Sequence, residues 1–167
     1  MSALWFYHLE RSALADALAP LLEKCLQRGW RAAVRGGLQD RLELLDQALW
    51  AWKEDSFLPH GLEGRDPPER QPILLMSGLT SGLTSGLSTS GLLAPGAGAP
   101  NGAKALFLID GAEPGDIAGF ERASIMFDGR DEAALVHARL QWKAAKDAGA
   151  DVSYWKETAA GRWEKQA

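Results

Sequence analysis

The sequence predicts a single α/β domain, residues 1–167, with a mostly parallel, mixed sheet flanked by helices. The first observation behind this prediction is that apolar runs suited to buried strands alternate with helical patterns along the chain. The second is the length, because 167 residues are enough to build one hydrophobic core. The third is the composition, 46% hydrophobic and 24% charged, which is ordinary for a globular domain.

The chain opens with a strand and a helix. Residues 3–9 form an aromatic run that suits a buried strand, and leucines at helical spacing follow as far as residue 26. Ser12 is expected to cap the amino end of this helix, and Gly29 is expected to end it. Pro20 lies inside the pattern, so the helix is expected to kink or split there.

Further apolar segments predict four more strands, at residues 31–35, 73–76, 105–109 and 123–127. After the turn at Gly36-Gly37, a second helix is predicted from Gln39 to about Lys53. A third, basic helix follows Asp131 and gives way to an end rich in tyrosine and tryptophan. This alternation of strands and helices favours parallel pairing, because each helix can carry the chain back across the sheet.

A low-complexity insert separates two of these strands. The tetrad Ser77-Gly-Leu-Thr80 is repeated at residues 81–84 and nearly repeated at 85–88, before a Pro/Gly/Ala stretch that ends at Gly102. Leucine at every fourth position would form a stripe on a helix, but each glycine destabilises a helix by about 1 kcal/mol relative to alanine. A flexible loop at about 77–102 is therefore expected, with an apolar tether that docks on a partner as the alternative.

Composition and missing motifs disfavour several classes of function. The formal charge of −4 argues against a general nucleic-acid-binding surface, so any anion site must be local. No GxGxxG or GxxxxGK[ST] motif is present, and three histidines with one cysteine show no metal-ligand spacing, so no cofactor and no metal are expected. The lone cysteine, with no secretory signal and no long apolar run, predicts a cytoplasmic protein that does not associate with a membrane.

One carboxylate is a candidate for catalysis. Asp110 stands at the end of an apolar strand, where open α/β sheets bind ligands, and Asp116 and Asp128 could lie near it and hold Mg²⁺. A metal-dependent enzyme that processes nucleotides or nucleic acid is therefore the alternative function. Acids beside glycine are commonly turn residues, however, and no nucleophile, base or phosphate loop accompanies these.

The basic helix carries a row of cations. At about 100° per residue, Arg139, Lys143 and Lys146 fall within an arc of roughly 60°, flanked by Leu135 and Trp142. The opposite side is expected to face the core, and consists of Ala133, Val136, Leu140, Ala144 and Ala148. Arg139 and Lys143 repel each other at i,i+4, so an acidic partner would relieve the repulsion. The alternative is a solvated helix face.

A second candidate surface lies where the second helix ends. Trp50, Trp52 and Phe57 cannot all belong to one helical core stripe, and Trp50 is out of step with the buried leucines before it. At least one of these rings is therefore expected at the surface, where tryptophan and phenylalanine mark interaction sites. For any one ring taken singly, core packing is the alternative.

A series of short motifs resembles the chi subunit of bacterial DNA polymerase III along nearly the whole chain. The motifs are Leu45-Asp-x-Ala-Leu-Trp50, Ser56-Phe-Leu-Pro-His-Gly61, Pro72-Ile73, Asn101-Gly102-Ala103, Phe120-Glu-Arg122, Met126-Phe-Asp128, Ala138-Arg-x-x-Trp-Lys143, Gly149 and Tyr154-Trp-Lys156. The block over residues 45–61 is the most specific. The resemblance implies a Rossmann-like fold that lacks nucleotide binding, and a non-catalytic adaptor of the replisome.

The resemblance also implies the partners. Relatives bind the acidic, Pro-Phe-ending C-terminal tail of single-stranded DNA-binding protein, link it to the clamp loader, and in many cases pair with the psi subunit. Relatives also bind a helicase through the surface that contacts psi. The resemblance implies that the chain contacts DNA only indirectly. Whether psi is the partner of this chain stays open.

Two sets of site residues carry over by position. Those of the tail-binding helix are Arg139, Trp142 and Lys143. A further lysine of that site is replaced by Leu135, so the anion pocket either has one cation fewer or takes that cation from Lys146 or Arg130. The residues that correspond to the psi or helicase contact are Trp50, Phe57, Pro59 and His60.

Overall fold

The structure places eight strands in one sheet, with three helices, within the residues it describes. In this computed structural model those residues are 3–36, 39–51, 59–62, 70–77, 101–109, 120–160 and 162–166. In chain order the elements are β1 (Ala3–Leu9), α1 (Leu14–Gln27), β2 (Ala32–Gly36), α2 (Gln39–Trp50), β3 (His60–Leu62), β4 (Ile73–Ser77), β5 (Ala105–Leu108), β6 (Arg122–Asp128), α3 (Glu132–Asp147), β7 (Asp151–Glu157) and β8 (Trp163–Lys165).

The sheet is parallel except at one edge. Its strand order is β3-β4-β2-β5-β6-β1-β7-β8, and among these described strands only β7 and β8 pair antiparallel. β1 lies between β6 and β7 and is parallel to both. The predicted α/β fold with a mostly parallel, mixed sheet and flanking helices is confirmed.

Helices lie on both faces of the sheet, because side chains along each strand point alternately to opposite sides. On one face Tyr7 belongs to a core cluster with residues of α1 and α2. On the other face Phe6 belongs to a cluster that packs with α3. α3 therefore lies on the opposite face of the sheet from α1 and α2, and β1 contributes to both cores.

Glycines end α1 and α3 in the same way. Gly29 and Gly149 have φ angles of 79° and 80°, in the left-handed region that favours glycine. After α1, the amides of Gly29 and Trp30 donate to the carbonyls of Leu26 and Cys25 at 3.0 and 2.9 Å, and the two amides after α3 make the equivalent bonds. The predicted end of the first helix at Gly29 is confirmed.

The beginning of α1 differs from the prediction. Ser12 is not the N-cap residue, since Ala13 occupies that position and makes no side-chain cap hydrogen bond. The hydroxyl and the amide of Ser12 donate instead to the carboxylate of Glu157. Pro20 does not split α1, which is one unbroken helix. Packing of the apolar face of α1 against the sheet offsets the hydrogen bond that the proline lacks.

The predicted loop at about 77–102 lies almost wholly outside the described residues. At its two ends, Ser77 is the last residue of β4 and Asn101 is buried. The Asn101 side-chain amide donates to the carbonyls of Ala32 and Gln71 at 3.0 and 2.9 Å, so it ties the start of β2 to the chain just before β4. The flexibility of residues 78–100 stays a prediction.

Candidate functional site

The helix α3 carries the cationic row that the sequence predicts, and its amino end is capped. The carboxylate of Asp131 accepts hydrogen bonds from the amides of Ala133 and Ala134 at 3.1 and 3.4 Å. This satisfies two amides that have no partner within the helix and places a negative charge at the positive end of the helix dipole. α3 is thus fixed at both ends, by Asp131 and by the glycine that follows it.

The core-facing side of α3 is built from small residues and two larger ones. Ala138 is buried, and the partly buried residues packed beside it include Ala134, Leu135, Trp142 and Ala145. Alanines allow the helix backbone to approach the sheet closely. Leu135 and Trp142 then cover the gap between helix and sheet from the side.

The opposite side of α3 is exposed, so the prediction that Val136, Leu140 and the alanines at 133, 144 and 148 face the core is wrong. Val136 is 50% exposed and Leu140 is 62% exposed. Apolar residues occur on both sides of this helix, and the pattern alone does not distinguish them. The side that packs is the one whose residues, mostly alanine, fit against the sheet.

Two of the three cations have no bonded partner among the described residues. Arg139 and Lys143 are exposed, and neither side chain makes a hydrogen bond or a salt bridge with any part of the chain that the structure describes. Lys146 is also exposed, and its Nζ lies 5.4 Å from the centre of the Trp142 ring, a cation–π distance. By helical spacing the three cations lie between half-buried Leu135 and Trp142 on one side and exposed Val136 and Leu140 on the other.

Arg130, the other predicted replacement for the lysine missing at Leu135, is engaged elsewhere. Its Nε lies 2.9 Å from Oδ1 of Asp128, and this hydrogen bond holds the pKa of the Asp128 carboxyl below its ordinary value. Its Nη atoms donate to the carbonyls of Arg11 and Ser12 at 3.3 and 3.4 Å. The guanidinium therefore fastens the loop after β1 to the loop after β6.

Beneath Trp142, a polar cluster joins β1 to β7. The ring of Tyr154 lies 5.7 Å from that of Trp142, and its hydroxyl is 2.7 Å from Nδ1 of His8. His8 Nε2 is 3.0 Å from Oε1 of Glu10, which Lys156 also approaches at 3.3 Å. Burial lowers the pKa of His8 and outweighs the opposing effect of Glu10. The cluster supports the helix through the contact of Tyr154 with Trp142.

A carboxylate fills the loop between β1 and α1. Glu157, only 5% exposed, accepts from the backbone amides of Glu10, Arg11 and Ser12 at 3.0, 2.7 and 2.9 Å, and from the Ser12 hydroxyl. Burial by itself raises the pKa of Glu157, but these hydrogen bonds outweigh it and lower the pKa to about 2. In dinucleotide-binding sheets the turn after the first strand holds a phosphate, and here a side chain of the protein occupies the equivalent group of amides.

The second predicted surface is described only in part. Trp50, at the end of α2, is 54% exposed, which confirms that one ring of this segment lies at the surface. The His60 ring is buried in β3, lies 4.6 Å from the Trp50 ring, and has Nε2 3.1 Å from Oδ1 of Asp46. Pro59 is half-buried, and Phe57 lies outside the described residues. His60 thus positions Trp50 and is itself shielded from a partner.

Comparison with known proteins decides the family. The model of the family described as "DNA polymerase III chi subunit, HolC" matches residues 1–153. The chain belongs to this chi-subunit family. A protein named "Probable DNA polymerase III subunit chi", from Rickettsia prowazekii (strain Madrid E), is 28% identical over 69 residues, which cover 41% of this chain and 42% of that relative. The resemblance to the chi subunit is confirmed, and the aligned stretch spans less than half the length of that relative.

The alternative enzymatic site of this chi-family chain falls largely outside the described residues. Asp110 and Asp116 belong to the parts of the chain that the structure does not describe, and Asp128 is bonded to Arg130. Within residues 3–36, 39–51, 59–62, 70–77, 101–109, 120–160 and 162–166, no group of three His, Cys, Asp or Glu side chains could hold a metal ion. In the same ranges, no helix has the length and apolar character needed to cross a membrane.

Proposed function

We propose that this chi-family chain is a non-catalytic, cytoplasmic adaptor of the DNA polymerase III holoenzyme. It binds the acidic C-terminal tail of single-stranded DNA-binding protein through α3, and it contacts the clamp loader through the surface around Trp50. Through these two contacts it meets DNA only indirectly, by way of the protein that coats the single strand. The match to the chi-subunit family supports the replication role.

The observation that carries the tail-binding proposal is the pairing of unbonded cations with exposed apolar side chains on one helix. A tail that ends in Phe presents an aromatic ring and an α-carboxylate together. Arg139 and Lys143 have no competing acidic partner among the described residues, so they are available to carboxylates. Val136 and Leu140 offer an apolar surface one row away for the ring. Acidic residues earlier in the tail add a salt-sensitive attraction.

Leu135 stands where relatives have a lysine. Lys146 is a better candidate than Arg130 to supply that positive charge. The close neighbour of Lys146 among the described side chains is the ring of Trp142, so its ammonium keeps its hydrogen-bonding capacity. Arg130, in contrast, already donates to a carboxylate and to two carbonyls. Leu135 and Trp142 line the cationic row on the side of the sheet.

The surface around Trp50 is proposed as the contact for psi or a helicase. Trp50 supplies the exposed ring, and buried His60 holds that ring in place beside half-buried Pro59. Phe57 is assigned to the same contact by its position in the sequence alone. Large exposed aromatic rings are frequent anchors of protein interfaces. This surface and the tail site use different helices, so they can be occupied together.

Titration of the chain with a tail peptide tests the first site. Arg139→Ala and Lys143→Ala should each weaken binding by about 1 to 3 kcal/mol, the range for a missing charged hydrogen bond. Lys165→Ala, which removes an exposed lysine on β8, is the matched control and should bind as the wild type does. A peptide without its terminal Phe should bind at least about tenfold more weakly. Unchanged affinity in both α3 variants would show that the row is only a solvated surface.

Pull-down with purified psi and with a helicase tests the second site. Trp50→Ala should remove the interaction while tail-peptide affinity stays within about 0.5 kcal/mol, because distant sites act nearly additively. Lys143→Ala serves as the reciprocal control, with tail binding weakened and the partner retained. Retention of both partners by Trp50→Ala would contradict the proposed surface.

A further inference from the structure

A cleft of about 530 Å³ lies on the face of the sheet opposite α3, between α1 and the edge formed by β7 and β8. Its volume is within the range of roughly 300 to 1,000 Å³ that small-molecule sites occupy. Five aromatic side chains line it: Trp5, Tyr7, Phe107, Trp155 and Trp163. Four cations line it as well: Lys24, Arg28, Arg122 and Arg162. None of these residues belongs to the tail-binding helix or to the surface around Trp50.

The rings and guanidinium groups form a continuous stack. Arg122 lies between two indoles, with its guanidinium carbon 4.4 Å from the Trp5 ring centre and 5.7 Å from that of Trp30. Arg28 lies 5.5 Å from the Trp30 ring, and the Trp155 ring is 5.3 Å from that of Trp5 at 32°. Trp5 and Trp155, which line the cleft, are only partly buried, and Trp30 lies outside its lining. The cleft therefore offers flat ring faces beside fixed positive charge.

The cleft has more positive charge than the described part of the chain neutralises. The side chains of its four cations make no salt bridge with any described residue, although the whole chain carries a formal charge of −4. Two acids, Asp16 and Glu157, also line the cleft, and the Glu157 carboxylate is already hydrogen-bonded to backbone amides and to Ser12. Uncompensated cations that converge on one cavity attract an anion.

Buried donors in the same cleft lack acceptors. Among the described residues, Nε of Arg122 and Nε1 of Trp155 are buried and have no hydrogen-bond partner. A buried donor without an acceptor is unfavourable by about 1 to 3 kcal/mol, so such atoms are uncommon. Both atoms can only donate, so a ligand rich in acceptor oxygens is the kind that would compensate for them.

We propose that this cleft binds one nucleotide unit, with the base stacked on the indoles and the phosphate held by cations. The phosphate is assigned to Lys24, Arg28 and Arg122, because α1 runs antiparallel to the strands and brings its carboxyl half beside the first residue of β6. The opposite end of the cleft carries Glu157, which would repel a phosphate. This assignment is independent of the proposed adaptor function, since tail and clamp-loader partners use other surfaces.

A nucleotide fits these features better than an acidic peptide does. Bases stack on aromatic side chains through their whole π-face, and guanidinium groups match phosphate oxygens in a bidentate geometry. A single carboxylate would leave most of the cations in the cleft without a partner. The nucleotide could be free in solution or one unit of a single strand, and both sources present the same chemistry.

Indole N–H signals in a two-dimensional NMR spectrum of the full chain test the proposal. Thymidine monophosphate and a short oligothymidylate should shift the signals of Trp5, Trp155 and Trp163 and leave Trp142 unchanged. Lys24→Gln and Arg28→Gln remove exposed cations of the cleft, and each should weaken binding at least about tenfold. Lys156→Gln, which removes a cation on the other face of the sheet, should bind nucleotide as the wild type does. Tighter binding of the oligonucleotide would identify a strand as the source, and equal binding would identify the free nucleotide.

Three results would overturn the proposal. The first is no shift of these indole signals at millimolar nucleotide. The second is equal affinity for ribose 5-phosphate, which would show attraction by charge without base stacking. The third is a shift of the same signals by the acidic tail peptide in place of the nucleotide, which would assign the cleft to a peptide.

Discussion

The ring of Trp142 meets the ring of Phe6 edge to face, with 5.4 Å between their centres and 75° between their planes. Phe6 is fully buried in β1. Trp142 therefore joins the cationic helix to the central part of the sheet, and Lys146 lies against the same indole from outside. One residue thus contributes both to the core and to the proposed tail site.

Replacement of Trp142 should affect stability and binding together. Trp142→Ala should lower the free energy of unfolding by about 2 to 4 kcal/mol, because the indole fills the space between α3 and the sheet. Trp142→Phe keeps a ring against Phe6 and should recover most of this loss. Urea melts of both variants beside tail-peptide titrations measure the two effects. A fully stable Trp142→Ala variant would contradict the packing of this indole on Phe6.

Leu140→Ser should weaken tail binding without changing the stability of the fold. Leu140 is largely exposed, so its replacement should change the free energy of unfolding by less than about 0.5 kcal/mol. If its side chain supports the tail's phenyl ring, the affinity for the peptide should fall by about 1 kcal/mol or more. Ala148→Ser, on the same exposed side near the end of the helix, is the matched control. An affinity unchanged by Leu140→Ser would remove Leu140 from the site.

The sequence predicts the cationic row of α3 but not the direction in which the helix faces. The positions of Arg139, Lys143 and Lys146 follow from helical geometry alone. The buried side depends on contacts with Phe6, far earlier in the chain, and with Tyr154, on the strand that follows the helix. Apolar residues occur on both sides, and the pattern favours the larger Val136 and Leu140 as core residues, whereas close approach to the sheet requires alanine.

Glu157 predicts a pH dependence of stability. Its pKa is about 2 in the folded chain and 4.5 ordinarily, so the folded state favours the charged form. This contribution, about 3 kcal/mol, is present above pH 4.5 and is lost as the pH falls towards 2. Glu157→Gln should lower stability at pH 7 and flatten the loss between pH 5 and about 2. Chemical denaturation across this range provides the measurement.

A matched glutamate controls the Glu157 experiment. Glu164, on β8, is exposed, and Glu164→Gln should alter stability by less than about 0.5 kcal/mol across the same pH range. A Glu157→Gln variant with the pH profile of the wild type would show that the carboxylate is not responsible.

The contact between Gly129 and His8 predicts a steric effect. A Cβ at position 129 would overlap the imidazole of His8, which is buried and held by Tyr154. Gly129→Ala should therefore lower stability by about 2 kcal/mol or more. His8→Ala opens the space, so the double variant should be less destabilised than the sum of the two single variants. Additive losses in this cycle would contradict the contact.

Long apolar elements are predictable from this sequence, and short or two-sided ones are not. The helix end at Gly29 follows from the glycine itself, because the left-handed conformation there favours that residue. β3 has three residues after a proline, too few for a periodic pattern. In β7, Tyr154 packs towards α3 and Trp155 towards α1, so neither face is polar and the alternation that identifies a strand is missing.

The carboxylate of Glu157 gives the β1–α1 loop an anion that is part of the chain and cannot diffuse away. A protein that holds a cofactor phosphate at this turn gains stability in proportion to the logarithm of the cofactor concentration. Here the anion is part of the chain, and its effective concentration is set by the strand that carries it. The order of this loop therefore does not depend on the concentration of any ligand that would otherwise fill it.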